Sequence, residues 1–134
     1  INFKIGVVEM GLFSGVIGNA SEANIDKIRG EYDKLLGSNE QIERGYKLIR
    51  DLIIFTNKRL IMVDKQGMTG KKVEYHSIPY RAITHFKVET SGHFDLDAEL
   101  KIFVSGMSMP IEKTFSSGCN IYEVQGILAE YCSK

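Results

Sequence analysis

Tryptophan is absent from the 134-residue sequence, and proline and cysteine occur only twice each. Two cysteines do not make the disulfide framework of a small secreted domain. Cys119 and Cys132 are thirteen residues apart on a stretch that reads as helix, roughly 20 Å at helical rise, beyond disulfide reach. Both are expected to be free thiols in a reducing, cytoplasmic setting. Net charge is missing as well, since 17 basic residues balance 17 acidic ones. A nucleic-acid partner is therefore not expected, because such proteins carry a basic footprint. No apolar run reaches the length of a membrane span. Residues 1–18 are apolar but interrupted by Glu9 and lack a basic start, so they do not read as a secretory signal. Only Lys4 is basic there, which weakens any reading of the segment as an interfacial membrane helix.

The chemistry-bearing residues are sparse too. His76, His85 and His93 show no HxxxH spacing, and there is no CxxC pair, so neither metal nor cofactor is expected. There is no GxSxG elbow, and Cys119 has no local base, so no enzymatic mechanism can be drawn. The acidic alternation Asp95, Asp97, Glu99 lacks the central glycine and terminal glutamate of a calcium loop.

What is present centres on Arg50–Gly67, RDLIIFTNKRLIMVDKQG. Two apolar runs, Leu52–Phe55 and Leu60–Val63, flank Thr56-Asn57-Lys58-Arg59, which predicts a β-hairpin turning at Asn57-Lys58 with Asn57 at positive φ. Phe55 then faces Leu60 and Ile53 faces Met62 on one side. Ile54 with Ile61, and Leu52 with Val63, occupy the other. Each buried side chain of this size contributes roughly 1.5–3 kcal/mol, so both faces call for a cover. The pattern does not say which face points inward.

Residues 1–37 read as a helical extension and 38–134 as a β-rich body with a closing helix. In Asn24–Leu36, Ile25, Ile28, Tyr32, Leu35 and Leu36 form one stripe, Asn24 or Ser21 can cap, and Gly37 can terminate. GLFSGVIG at 11–18 suggests a shorter helix before it. Ile42, Tyr46 and Leu48 alternate with polar neighbours, as do Phe86 and Val88, then Leu100, Ile102 and Val104; about seven antiparallel strands result. Asn120 and Glu123 make a capping box for a last helix striped by Ile121, Val124, Ile127, Leu128 and Tyr131. Seven short strands hide their edges best by curling into a barrel, with the final helix plugging an open end.

The run RDLIIFTNKRLIMVDKQGMTGKK, with SIPYRAI, FKVET and the early GLFSGVIGNASE, resembles the bacterial pleckstrin-homology family, within a wider GRAM-like superfamily. That resemblance implies an α+β, mainly β fold, a seven-stranded bent barrel capped by a C-terminal helix. It also implies a cytosolic, non-enzymatic protein that forms cyclic homo-oligomers, with fivefold rings among them. The doubly apolar hairpin gives the same expectation, with Leu52, Ile54, Ile61, Val63, Ile25, Ile28 and Tyr32 as oligomer-interface or core residues. A surface presented to a protein partner is the further expectation, drawn from the surplus apolar area of the hairpin and the N-terminal stripe. An alternative is binding of anionic lipid or a phosphate ligand, since relatives of this fold use a basic loop between the first two strands. Lys47, Arg50, Lys58 and Arg59 are the candidate cations.

Overall fold

The computed structural model describes residues 25–48, 51–66, 72–90, 98–115 and 121–133. Arg50, the 11–18 segment, the caps at Ser21, Asn24 and Asn120, and His93, Asp95, Asp97 and Cys119 lie outside the described residues.

Helix α1 (Ile25–Tyr32) precedes strands β1 (Ile42–Lys47), β2 (Leu52–Thr56), β3 (Arg59–Gln66), β4 (Lys72–Pro79), β5 (Ile83–Thr90), β6 (Ala98–Val104) and β7 (Ile111–Phe115); helix α2 (Ile121–Cys132) closes the order. The strands form two antiparallel sheets, β1-β2-β3-β4 and β5-β6-β7. The hairpin register is the expected one, from Leu52 opposite Val63 to Phe55 opposite Leu60.

The two faces of that hairpin belong to two separate cores. Ile53, Phe55, Leu60 and Met62 pack between the sheets with Ile78, Leu100, Ile102, Phe115 and the α2 stripe. Leu52, Ile54, Ile61 and Val63 pack on the other side with Ile25, Ile28, Tyr32 and Ile42. The cover over the outer face is thus the chain's own α1. All seven residues named as interface or core are buried within one subunit.

Three local expectations are corrected. Ile42, Tyr46 and Leu48 do not share a face, because a bulge between Ile42 and Arg44 inserts Glu43 and turns Ile42 to the α1 side. The α-helix ends at Tyr32 rather than Leu36, tightening into a 3-10 turn over Asp33–Leu35. Positive φ falls at Asn39, at 59°, among described non-glycine residues, and not at Asn57. The hairpin tip is instead held by the Thr56 hydroxyl, which accepts the N–H of Lys58 at 3.0 Å and of Arg59 at 2.9 Å.

Gly45 explains how α1 comes so close. A Cβ on this β1 residue would collide with Ile28 Cδ1, so the missing side chain is the notch into which Ile28 fits.

Candidate functional site

The β1–β2 register separates the candidate cations. Lys47 stands opposite Leu52 at one end of the hairpin, whereas Lys58 and Arg59 lie past Thr56 at the other. Five residues of strand put roughly 15 Å or more between them. Lys58 donates from Nζ to the Ser38 carbonyl at 3.0 Å.

Arg59 is occupied by the chain itself. Its Nε donates to Glu40 Oε2 at 2.8 Å, one terminal nitrogen donates to Glu40 Oε1 at 3.0 Å and to the Leu35 carbonyl at 2.6 Å, and the other reaches Ser77 Oγ at 2.8 Å. Glu40 also accepts the Gly37 N–H and the Thr56 hydroxyl. Its side chain is only 4% exposed. Burial alone would raise its pKa, but the bonds from Arg59, Gly37 and Thr56 outweigh that and hold it down at about 2. Asn57 completes the clamp, accepting the Gln41 N–H and donating to the Asn39 carbonyl. The linker between α1 and β1 is thereby fastened to the hairpin tip. This is architecture, and it uses up the fork geometry that an anion would need.

At the opposite end, near Lys47, the neighbours are acidic. Continuing the register places Asp51 opposite Asp64, and Asp64 is opposite Glu74 on β4. Lys113 of β7 donates to Asp51 Oδ2 at 3.0 Å, tying the second sheet to the hairpin. Asp64 is raised above the usual carboxylate range by burial first, then by its hydrogen bond to Asp51 and the charges of Asp51 and Glu74; Lys113 opposes them. A raised folded pKa means that the contribution to stability is complete at low pH and is lost as pH rises through the folded pKa. Asp64→Asn is therefore expected to raise the melting temperature at neutral pH and to flatten this part of the pH–stability curve. An unchanged neutral-pH melting temperature would show that the two carboxyls do not oppose each other. The expected hairpin register, extended by one position, implies this acidic pair at the end where cations were expected.

Tyrosines fasten α2. Tyr46 on β1 donates to Glu123 at 2.9 Å, Tyr131 donates to Glu43, and Tyr80 donates to the Thr56 carbonyl at 2.6 Å. The Tyr131 ring stacks between Phe55 and Tyr80, with centroids at 5.5 and 4.8 Å. Burial pushes both the Tyr80 and Tyr131 hydroxyls up, keeping them neutral donors, and it also raises the half-buried Cys132 thiol. His85 stacks on Phe103 at 4.1 Å on the outer face of the second sheet. Among the described residues, no three His, Cys, Asp or Glu side chains gather as metal ligands. No helix among them is long and apolar enough to cross a membrane.

Among the described residues the sheets face each other but are not hydrogen-bonded into one, so each keeps its edges. Three of the four are blunted. β1 and β5 carry irregularities, between Ile42 and Arg44 and between Ile83 and His85, and β7 is only five residues long with Pro110 just before it. β4 differs. It pairs with β3 over eight consecutive positions without a shift, and its only proline, Pro79, is the last residue. Every β4 side chain but Ile78 is exposed or half-exposed, and Tyr75 is 43% exposed. A fully closed barrel would leave no such edge, whereas two sheets joined by packing alone do.

Known proteins are similar to this chain. The family described as Bacterial PH domain matches residues 11–132. YjqA of Bacillus subtilis, described as an uncharacterized protein, is 50% identical over 124 residues, covering 92% of this chain and 99% of its own. A DUF1696 family protein with a pleckstrin-homology domain from Shewanella loihica has 51% identity and a TM-score of 0.76, covering 87% of this chain and 99% of its own. A pleckstrin homology domain from Shewanella amazonensis gives 52% and 0.75, over 86% and 93%. With its paired sheets, its closing helix and a match spanning nearly its whole length, this chain belongs to the bacterial PH domain family.

Proposed function

We propose that the protein is a non-catalytic interaction module that assembles with copies of itself into a closed cyclic homo-oligomer, whose surface is offered to a protein partner. The surplus apolar face inferred from the hairpin no longer carries this reading, because α1 covers it. The reading rests on β4, a long, regular edge strand without the devices that blunt the other edges. Unpaired N–H and C=O groups along such an edge are a template for another strand. Met107 and Met109 on the β6–β7 turn, 44% and 69% exposed, offer apolar side chains at a separate place. Two different patches on one subunit suit a head-to-tail contact, which closes into a ring when the rotation allows. Lipid or phosphate binding finds less support, given the scattered cations, the occupied Arg59 and the carboxylates near Lys47.

Light scattering tests the reading. The expected result is a mass that is a whole multiple, two or more, of the 15.1 kDa subunit. A monomer at every concentration overturns it.

A further inference from the structure

We propose that Met107 and Met109 are an oxidation site through which peroxide controls self-association. In the free subunit each thioether takes up one oxygen atom, and the resulting sulfoxides weaken the contact. This rests on the head-to-tail reading above and names how that contact is regulated.

The described methionines fall into two environments. Met62 is 4% exposed in the core between the sheets, whereas Met107 and Met109 are 44% and 69% exposed and belong to neither core. A sealed thioether is shielded from a dissolved oxidant, and an open one is not. Met10 and Met68 lie outside the described residues.

The turn that carries the pair is fastened by its backbone. The Met107 N–H donates to the Val104 carbonyl at 3.0 Å, closing a β-turn whose third residue, Gly106, has a φ of 88°. The Ser105 N–H donates to the Ala82 carbonyl at 2.8 Å, tying the turn to the residue before β5. These bonds are made by main-chain atoms, so the turn keeps its shape whatever the state of the two sulfurs.

Hydrogen peroxide alone balances the chemistry. The Sγ lone pair attacks one peroxide oxygen, an S–O bond forms as the O–O bond breaks, and the other oxygen leaves as water. Sulfur loses two electrons and the peroxide gains them. The product is a polar, chiral side chain in place of a flexible apolar one, and enzymes that reduce methionine sulfoxide can reverse it. Burying the new S=O group without a hydrogen-bond donor is unfavourable, so a contact made through the thioethers loses affinity. Met107 and Met109 are two residues apart, so both changes fall on the same small surface.

Peroxide treatment of the dilute full chain tests this, read by peptide mapping, circular dichroism and sedimentation velocity. Met107 and Met109 are expected to gain one oxygen each and Met62 none, with an unchanged circular dichroism spectrum. Self-association is expected to weaken about tenfold or more. Met107→Leu combined with Met109→Leu keeps an apolar surface that cannot take up oxygen, so association of this variant is expected to survive the same treatment. If the untreated chain is a monomer at all concentrations, the head-to-tail reading fails and the peroxide control fails with it. If the untreated chain is an oligomer and the doubly oxidised chain associates as before, the reading stands and the peroxide control is overturned. It is also overturned if Met107 and Met109 gain no oxygen, or if the treated leucine variant loses association too.

Discussion

Substituting Ile54 by Asp is expected to abolish folding rather than to release a soluble, folded monomer. Ile54 is fully buried, and its neighbours Ile61, Leu52 and Val63 form a closed layer beneath Ile25, Ile28 and Tyr32. A carboxylate there has no partner and no route to water. Leaving a charge unpaired in such a place costs several kcal/mol, a large part of the roughly 5–15 kcal/mol that holds a domain together. The milder Ile54→Ala should lose about 2–5 kcal/mol in denaturant unfolding through lost burial and a cavity. A well-folded Ile54→Asp protein with native stability would mean that α1 does not sit on this face in solution. The result therefore decides whether the second core is internal to one subunit, independently of any assembly.

Acid should weaken the protein through Glu40, and losing Arg59 should weaken it already at neutral pH. Glu40 has a folded pKa of about 2 against an ordinary 4.5. A depressed carboxylate contributes stability above its unfolded value, and that contribution disappears as pH falls from about 4.5 towards 2. The difference corresponds to about 3 kcal/mol, an order-of-magnitude figure for a side chain this buried. Glu40→Gln should lower stability at neutral pH and remove the steep loss below pH 4.5. Arg59→Met should cost more, about 3–5 kcal/mol, because it leaves the Glu40 carboxylate buried without its cation and the Leu35 carbonyl without its donor. Urea unfolding at neutral and acidic pH reads all three proteins. Equal acid sensitivity in the parent and Glu40→Gln would show that the clamp is not what titrates.

How far the sequence could be read depended on the range of the determining interaction. The hairpin register, the α2 stripe and the inward faces of β5 and β6 follow from periodicity within one or two elements, and they appear as read. The bulge at Glu43 does not, since nothing in Ile42–Leu48 marks where β1 must turn to face α1. Gly45 was the available hint, a small residue where a helix needs room. The early end of α1 is set by Arg59, twenty-four residues further on, taking the Leu35 carbonyl. Positive φ moved from Asn57 to Asn39 because the Thr56 hydroxyl supplies the turn's hydrogen bonds by another route. Arg59 looked like a ligand residue for the same reason: a cation at a hairpin tip reads alike whether it meets solvent, phosphate or a buried carboxylate. The openness of β4 is a property of the whole strand order, and no single stretch of residues states it.

The clamp at residues 56–59 also bears on how this protein can be re-engineered. Hairpin tips are usually where new chain ends and inserted domains are accepted, being exposed and weakly attached. Here Asn57, Lys58 and Arg59 each reach back to the segment just before β1, so cutting between β2 and β3 would loosen the N-terminal helix as well as the hairpin. A circular permutant opened there should lose one of its two cores, whereas new termini in the solvent-facing Ser105–Ser108 turn leave both undisturbed.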